Sequence, residues 1–123
     1  MSRTTQQRTA IRTAIEASDG PLTPQEVLAA ATRTVPGLGI ATVYRALSAG
    51  VDEGWLQTVH LPTGPARYEL AELGHHHHFR CTACDRVFDL EGCPGNLKDL
   101  LPPGFELEHH DITLHGKCAD CAS

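Results

Sequence analysis

The architecture of this 123-residue chain follows from the segment Ile40-Ala-Thr-Val-Tyr-Arg-Ala-Leu47, which comes directly after Gly39. At helical spacing its apolar residues share one face, and its polar residues point away from that face. The polar residues are Thr42, Tyr44 and Arg45. We expect these side chains to reach the base edges or phosphates of duplex DNA, as the second helix of a helix-turn-helix does. The alternative is an exposed Tyr-Arg pair without a function, which many three-helix units display.

Two further helices are predicted before this segment. The first covers residues 4–18 and is ended by the breaker sequence Asp19-Gly20-Pro21. The second begins with a capping box in Thr23-Pro24-Gln25-Glu26 and runs to about Val35. Three helices of this kind are the usual body of a helix-turn-helix unit.

A β-hairpin is predicted after the third helix. Its strands are the β-rich runs 55–61 and 66–70, and its turn is Pro62-Thr-Gly-Pro65. Three helices followed by a hairpin predict a winged helix-turn-helix.

The charge of the chain is unevenly distributed. The net charge of −5 argues against a protein that coats nucleic acid. Residues 1–53 hold five Arg and five acids, whereas residues 54–123 hold five basic and ten acidic residues. The first fifteen residues contain no acid, so Arg3 and Arg8 form part of a local basic patch for the backbone or minor groove of DNA. All eight histidines lie from His60 onward, which indicates a different function for the second half.

Beyond Gly74 the sequence predicts a second unit that mixes helix and strand. One short helix is expected near residues 95–101. Short strands are expected near residues 77–81, 86–90, 104–108 and 111–115. We therefore predict an α+β fold with a winged-helix DNA-binding domain at 1–72 and a small α/β domain at 73–123.

Four of the five cysteines form two C-x-x-C pairs, and each pair brackets a tight turn that aims two sulfurs at one point. The pairs are Cys81 with Cys84 and Cys118 with Cys121. Together they complete the four-sulfur shell of a structural zinc ion, with buried thiols or a redox dithiol as alternatives. Such thiolates fit a reducing compartment. The chain has no apolar run of about 18 residues and no apolar signal core at its start, so we expect a cytoplasmic protein without a membrane partner.

The run His75-His-His-His78 directly precedes the first C-x-x-C pair. In an extended segment successive side chains point to opposite faces, so His76 pairs with His78 and His75 pairs with His77. Both pairs are candidate metal ligands, and a solvated polar loop is the alternative. The candidate partners are His60, Glu69, Asp89, Cys93, His109, His110 and His115.

Together these motifs resemble the ferric-uptake-regulator (Fur) superfamily of metal-sensing bacterial repressors over nearly the whole chain. The segments that carry the resemblance are residues 39–45, 75–84, 104–110 and 116–121. The resemblance implies that the second domain is a dimerisation and metal-binding domain. It also implies a homodimer that binds a palindromic operator in double-stranded DNA when metal is bound, with neither a small-molecule substrate nor enzymatic activity.

By position, the resemblance assigns three metal sites. The four paired cysteines match the structural zinc ligands. The hinge regulatory site is matched by Glu69, His76, His78 and Asp89. Several members draw a hinge ligand from a His where this chain has Pro21, so His60 or water is expected to complete the site. The second site is matched by His75, His77, Cys93 and His110, and Cys93 stands where members commonly place a Glu.

The identity of the sensed metal is inferred from Cys93. A thiolate among imidazoles selects zinc over Fe(II) or Mn(II), which favours the zinc-uptake (Zur) branch. We therefore expect a repressor of zinc uptake with Zn(II) at its structural and regulatory sites. An iron, manganese or peroxide sensor of the same architecture, with Fe(II) or Mn(II) at those regulatory sites, is the alternative. More remote are a zinc-storage protein and a zinc hydrolase, whose H-E-x-x-H or H-x-E with P-C-x-x-C patterns are absent.

Overall fold

A computed structural model describes residues 2–122, which divide after Gly74 into two units. The boundary expected from the sequence, between residues 72 and 73, lies two positions earlier. The longest helices of the described chain have 14 residues, and none has the length and hydropathy of a membrane span.

Three helices form most of the first unit: α1, Arg3–Glu16; α2, Pro24–Ala31; and α3, Ile40–Glu53. The start of α2 is fixed by reciprocal capping. The backbone N–H of Glu26 donates to the Thr23 hydroxyl over 3.1 Å, and the backbone N–H of Thr23 donates to the Glu26 carboxylate over 2.9 Å. The predicted capping box is thus present.

Two helix ends differ from the expectations. The helix α2 ends at Ala31 and not near Val35, because the run Thr32-Arg-Thr-Val35 contains three β-branched residues of low helix propensity. The helix α3 continues past Leu47 to Glu53, where Gly54 ends it in a left-handed conformation with φ +88°.

The hairpin consists of β1, Leu56–Val59, and β2, Arg67–Leu70, which pair antiparallel. It is joined to the start of α2 through Arg67, whose side chain is 3% exposed and donates to the Glu26 carboxylate over 2.9 Å. The first unit therefore has the helices and wing that the sequence predicts. Its core is made of apolar residues from all three helices, the loop between α2 and α3, and β1: Ala10, Ile11, Ile15, Val27, Ala31, Leu38, Val43, Leu47 and Leu56.

The second unit contains a three-stranded sheet in the order β4-β3-β5. The central strand β3, His77–Cys81, pairs antiparallel with β4, Val87–Leu90, and parallel with β5, Thr113–Gly116. A 3-10 turn at Leu97–Leu100 and a short helix α4, Ala119–Ala122, complete the unit. The predicted fold class, α+β, is confirmed.

The strand predicted at residues 104–108 is wrong for the described chain. The backbone N–H of Phe105 donates to the carbonyl of Pro102 over 3.2 Å, so the segment begins with a turn at Gly104. Phe105 is 65% exposed and Leu107 is 42% exposed. The alternating apolar residues that suggested a strand therefore have no neighbouring strand to pair with in a single copy of the chain.

Candidate metal centres

The strand β3 connects three groups of metal-ligand side chains in the second unit. It begins in the histidine run and ends at Cys81, and its side chains alternate between the two faces of the sheet. The cysteine cluster contains Cys81, Cys84, Cys118 and Cys121; the His76 cluster contains His76, His78 and Asp89; and the His75 cluster contains His75, His77, Cys93 and His110.

Two tight turns build the cysteine cluster. In the first, the backbone N–H of Cys84 donates to Cys81 Sγ over 3.4 Å, and Asp85 takes a left-handed φ of +64°. In the second, the backbone N–H of Cys121 donates to the carbonyl of Cys118 over 3.0 Å as α4 begins. The backbone N–H of Cys118 also donates to Cys81 Sγ over 3.4 Å, which draws the two turns together.

The spacing of the sulfurs fits a zinc ion. The four ligand atoms lie within 4.8 Å of one another, and Sγ of Cys84 lies 3.9 Å from Sγ of Cys118. A tetrahedron with Zn–S bonds of about 2.3 Å has S–S edges of about 3.8 Å. Four thiolates would fill the shell of such an ion and leave no position for a substrate, so this geometry suits a structural role.

Hydrogen bonds distribute the protons unevenly within the cysteine cluster. The backbone N–H groups of Cys118 and Cys84 lower the pKa of Cys81 to about 5, because they stabilise its thiolate. The Arg86 guanidinium, above all, lowers the pKa of Cys118. Hydrogen bonds with the sulfurs of Cys118 and Cys81, together with burial, raise the pKa of Cys121 to about 12. Two of the four sulfurs, those of Cys81 and Cys118, are therefore stabilised as thiolates, the form that binds a cation.

Arg86 is a residue of this centre that the sequence analysis missed. Its Nη2 donates to Cys118 Sγ over 3.7 Å and to the Asp120 carboxylate over 3.1 Å. Its guanidinium carbon lies 4.9 Å from the centre of the Phe88 ring, so the side chain is held on a second side. The sequence offered one signal, a basic residue two positions after the first C-x-x-C pair. Four thiolates around a divalent ion have a net charge of −2, which a nearby cation stabilises.

The His76 cluster lies on one face of β3 and β4. The rings of His76 and His78 are 4.8 Å apart, and the Nε2 atom of each lies 3.4 Å from Oδ1 of Asp89. Asp89 is the residue of β4 directly opposite His78, so the sheet register places the carboxylate beside both imidazoles. Two imidazoles and one carboxylate form a ligand set that suits several divalent transition metals.

Glu69 and His60, the other residues predicted for the hinge site, lie in the first unit. Glu69 is 3% exposed and accepts a hydrogen bond from Gln57 Nε2 over 3.2 Å. Gln57 is opposite Glu69 in the hairpin, and the exposed His60 follows Gln57 by three positions. An odd spacing along extended chain turns His60 toward the other face, so the hairpin does not bring His60 to Glu69.

The His75 cluster lies on the opposite face of β3. The rings of His75 and His110 are 4.9 Å apart, and the rings of His77 and His110 are 5.1 Å apart. Sγ of the exposed Cys93 lies 3.0 Å from Nε2 of His110. Three imidazoles and one thiol therefore converge at the place where β3 begins.

His77 shows most clearly that this cluster suits a metal ion. It is 3% exposed, and its Nε2 has no hydrogen-bond partner in the described part of the chain. Burial, and then the charges of His75 and His110, lower the pKa of His77, so its ring is neutral at neutral pH, as a metal ligand must be. The backbone N–H of Ile112 donates to Nδ1 over 3.2 Å, and metal binding at Nε2 would move the ring proton to Nδ1 and end that contact.

The helix α3 presents the side chains predicted to contact DNA. Tyr44 is 46% exposed, and its hydroxyl accepts a hydrogen bond from Gln25 Nε2 over 3.5 Å. The exposed Arg45 donates to the Thr42 hydroxyl over 3.0 Å, which extends its guanidinium along the helix surface. The predicted basic residues of α1 are also exposed: Arg3 and Arg8.

The chain resembles known proteins in both sequence and fold. A sequence model of the Ferric uptake regulator family matches residues 1–115. The zinc uptake regulation protein of Mycobacterium tuberculosis is 34% identical over 124 residues, which cover 98% of this chain and 95% of that protein. The ferric uptake regulation protein of Neisseria meningitidis is 34% identical over 87 residues, which cover 68% of this chain but only 60% of that protein.

Among solved structures, FurB from M. tuberculosis, described as a zinc uptake regulator, superposes with a TM-score of 0.53 at 31% identity. The superposition covers 97% of this chain and 95% of that one. The likeness therefore extends over both units of the chain.

Proposed function

Because the chain belongs to the ferric uptake regulator family, we propose that it is a metal-dependent transcriptional repressor whose sensed metal is zinc. Members of this family are transcriptional regulators and not enzymes. The proposal is that a cytoplasmic homodimer binds palindromic operator DNA when its regulatory site is filled and thereby controls zinc uptake. Residues 1–72 would bind the DNA, and residues 73–123 would hold the metals and the dimer.

The observation that carries this proposal is the division of the histidine run between two donor clusters on opposite faces of β3, next to a complete cysteine cluster. One set of four thiolates suffices to hold a fold, so the two further sets are available for exchangeable metal. His78 lies in β3, and the half-buried His76 directly precedes that strand.

We propose that the His76 cluster is the regulatory site and that Glu69, from the first unit, supplies a further ligand. A bound divalent ion would supply positive charge that draws carboxylate and imidazole ligands from both units into one shell. Glu69, His76 and His78 would bind the ion together. This shared binding would restrict the winged helix to positions that fit successive major grooves. Metal-dependent DNA binding would follow from that restriction. His60 would be a ligand only if the bound ion draws it into the same coordination shell.

Zinc is supported by two facts. The zinc uptake regulation protein of M. tuberculosis is aligned over 98% of this chain. The His75 cluster contains the thiol of Cys93, and thiolate ligands favour zinc over Fe(II) and Mn(II).

A homodimer is supported by the exposed apolar residues of the second unit. Leu100 is 80% exposed, Phe105 is 65% exposed and Leu114 is 52% exposed. Contiguous exposed apolar patches mark interaction surfaces, and we propose that these side chains belong to one that a second copy covers. The segment around Phe105, which lacks a partner strand in one copy, would be covered by the other copy.

Iron or manganese sensing is a second candidate, because the His76 cluster contains a carboxylate and no thiol. Two imidazoles and one carboxylate also form the set that binds Fe(II) in many proteins.

The decisive experiment measures operator affinity against buffered free Zn(II), Fe(II) and Mn(II). The DNA would be a palindromic duplex selected from random sequence with the zinc-loaded protein, and metal content per chain would be measured in parallel. We expect tight binding only when zinc exceeds one ion per chain. Unchanged binding after the labile metal is stripped, with the cysteine-bound zinc still present, would refute the mechanism. A response to manganese or iron alone would refute the zinc assignment.

A further inference from the structure

Cys93 differs from the other cysteines in its neighbours, and it shares its exposure only with Cys84 among the five. It is exposed, and its sulfur lies 3.0 Å from Nε2 of His110, whereas Cys81 and Cys118 are buried among other sulfurs. No second cysteine belongs to the His75 cluster in the described chain. Cys93 is therefore a single accessible sulfur within a set of nitrogen ligands.

We propose that Cys93 is an oxidation-sensitive ligand, so that a hydroperoxide removes metal from the His75 cluster and couples metal occupancy to oxidants. The inference rests on the proposed function in one respect, namely that this cluster binds zinc. The oxidant is a hydroperoxide, whose oxygen acts as the electrophile.

A second observation supports a ligand at this cluster independently of Cys93. Nε2 of His77 is buried and has no partner in the part of the chain that the structure describes. A buried polar nitrogen without a partner is unfavourable, so its position beside His75 and His110 indicates that a bound ion completes the site. Of the four ligands in this set, Cys93 and His75 are exposed to solvent.

The reaction is balanced by the peroxide alone. The Cys93 thiolate attacks one peroxide oxygen, an S–O bond forms, and the O–O bond breaks. The sulfur gives up two electrons, the leaving oxygen departs as hydroxide from H₂O₂, and the product is a sulfenic acid. A neutral sulfenic acid is a poorer ligand than a thiolate, so the cluster is left with its three imidazoles. Two equivalents of a thiol reductant restore the thiolate through a mixed disulfide.

The other four thiols share one cluster, in which Cys84 is exposed and would be protected by the zinc it binds. The sulfurs of Cys81 and Cys118 are buried, and Arg86 donates to Cys118. Thiolates that share one metal and accept hydrogen bonds are weaker nucleophiles than an open thiolate. Because Cys93 has no cysteine neighbour in its cluster, the first product should be the sulfenic acid and not an intrachain disulfide.

The test uses the full chain loaded with zinc, with the stoichiometry measured first. Low doses of H₂O₂ are added, released zinc is followed with a chromophoric chelator, and sulfenic acid is trapped with dimedone and located by peptide mass. We expect dimedone on Cys93 to appear together with release of one zinc ion per chain, the ion bound by the His75 cluster. The matched variant Cys93→Glu keeps an oxygen ligand but has no oxidisable sulfur. We expect it to release that zinc at least about tenfold more slowly.

Several results would overturn the inference. These are absence of the second zinc, adduct formation first on Cys84 or Cys121, adduct on Cys93 with all zinc retained, or equal release from Cys93→Glu. The labelling in wild-type protein decides the matter even if the variant fails to load. None of these readouts uses DNA, so loss of metal-dependent operator binding would refute the proposed function and leave the inference about Cys93 standing, and the reverse also holds.

Discussion

The cysteine cluster and the two histidine clusters are attached to the same short strand, but they differ in every property that controls metal exchange. Cys81, at the end of β3, is 0% exposed, and its sulfur accepts two backbone hydrogen bonds. At the start of β3, the exposed His75 and Cys93 border the buried His77. The cysteine cluster is held by hydrogen bonds within its own turns, with Cys84 as its exposed member. The His75 cluster is open to solvent at His75 and Cys93.

This contrast shows how one small unit can hold one metal permanently and still exchange others. Four thiolates saturate a zinc ion and link the loop after β3 to the end of β5. Mixed imidazole and carboxylate sets bind less tightly and release metal as its concentration falls. The five-residue strand separates these two functions by placing them at its opposite ends, whereas alternation of its side chains separates the two histidine clusters.

The largest effect is expected from Cys81→Ser. Structural zinc supplies about 10–16 kcal/mol of apparent binding free energy in small zinc domains, and the second unit has little other core to replace it. We expect loss of the tightly held zinc and loss of the cooperative thermal transition of this unit, measured by metal analysis and near-UV circular dichroism. The control is Cys93→Ser, which should keep both. A folded Cys81→Ser protein without zinc would show that the cysteine cluster does not hold the fold.

The two histidine faces should differ in their effect on DNA binding. We expect His76→Ala to lower operator affinity about 10–100-fold at buffered zinc, because it removes a ligand of the proposed regulatory site. The matched variant His75→Ala removes a ligand from the other face and should cost less than about fivefold. Fluorescence anisotropy with labelled operator measures both. Equal losses would show that the two clusters act as one regulatory unit.

Much of this comparison could be predicted from the sequence, since spacing along a chain fixes which side chains share a turn or a strand face. The two C-x-x-C pairs and the alternation from His75 to His78 are local patterns of that kind. The predicted strand at 104–108 was wrong because strand formation needs a partner edge, which a local pattern does not supply. Arg86 was missed for the same reason, because its contact with Cys118 spans 32 positions.

A smaller effect is expected from Arg86→Gln, which removes the positive charge beside Cys118. The pKa of that thiol is lowered chiefly by Arg86, so the variant should hold its thiolate less firmly. We expect zinc transfer to a competing chelator to be about tenfold faster, with the fold retained. Asp120→Asn is the matched control, because it disrupts the ion pair of Arg86 and leaves the guanidinium in place. If zinc transfer is equally fast in Arg86→Gln and wild type, Arg86 forms only a surface ion pair and does not stabilise the bound zinc.

The smallest effect is expected from Cys93→Glu on metal preference, in the reduced protein. Replacing the one thiolate of the His75 cluster by a carboxylate makes its ligand set harder and closer to that of the His76 cluster. In a His76→Ala background, which leaves the His75 cluster as the intact histidine cluster, we expect the ratio of Zn(II) to Mn(II) affinity at the second bound equivalent to fall on the order of fivefold, measured by competition with metal buffers. The first equivalent, bound by the four cysteines, should be unaffected and serves as an internal control. If the ratio at the second equivalent stays the same, metal selection lies with the geometry of the imidazoles, and the chemical contrast between the two faces of β3 does not set which metal is sensed.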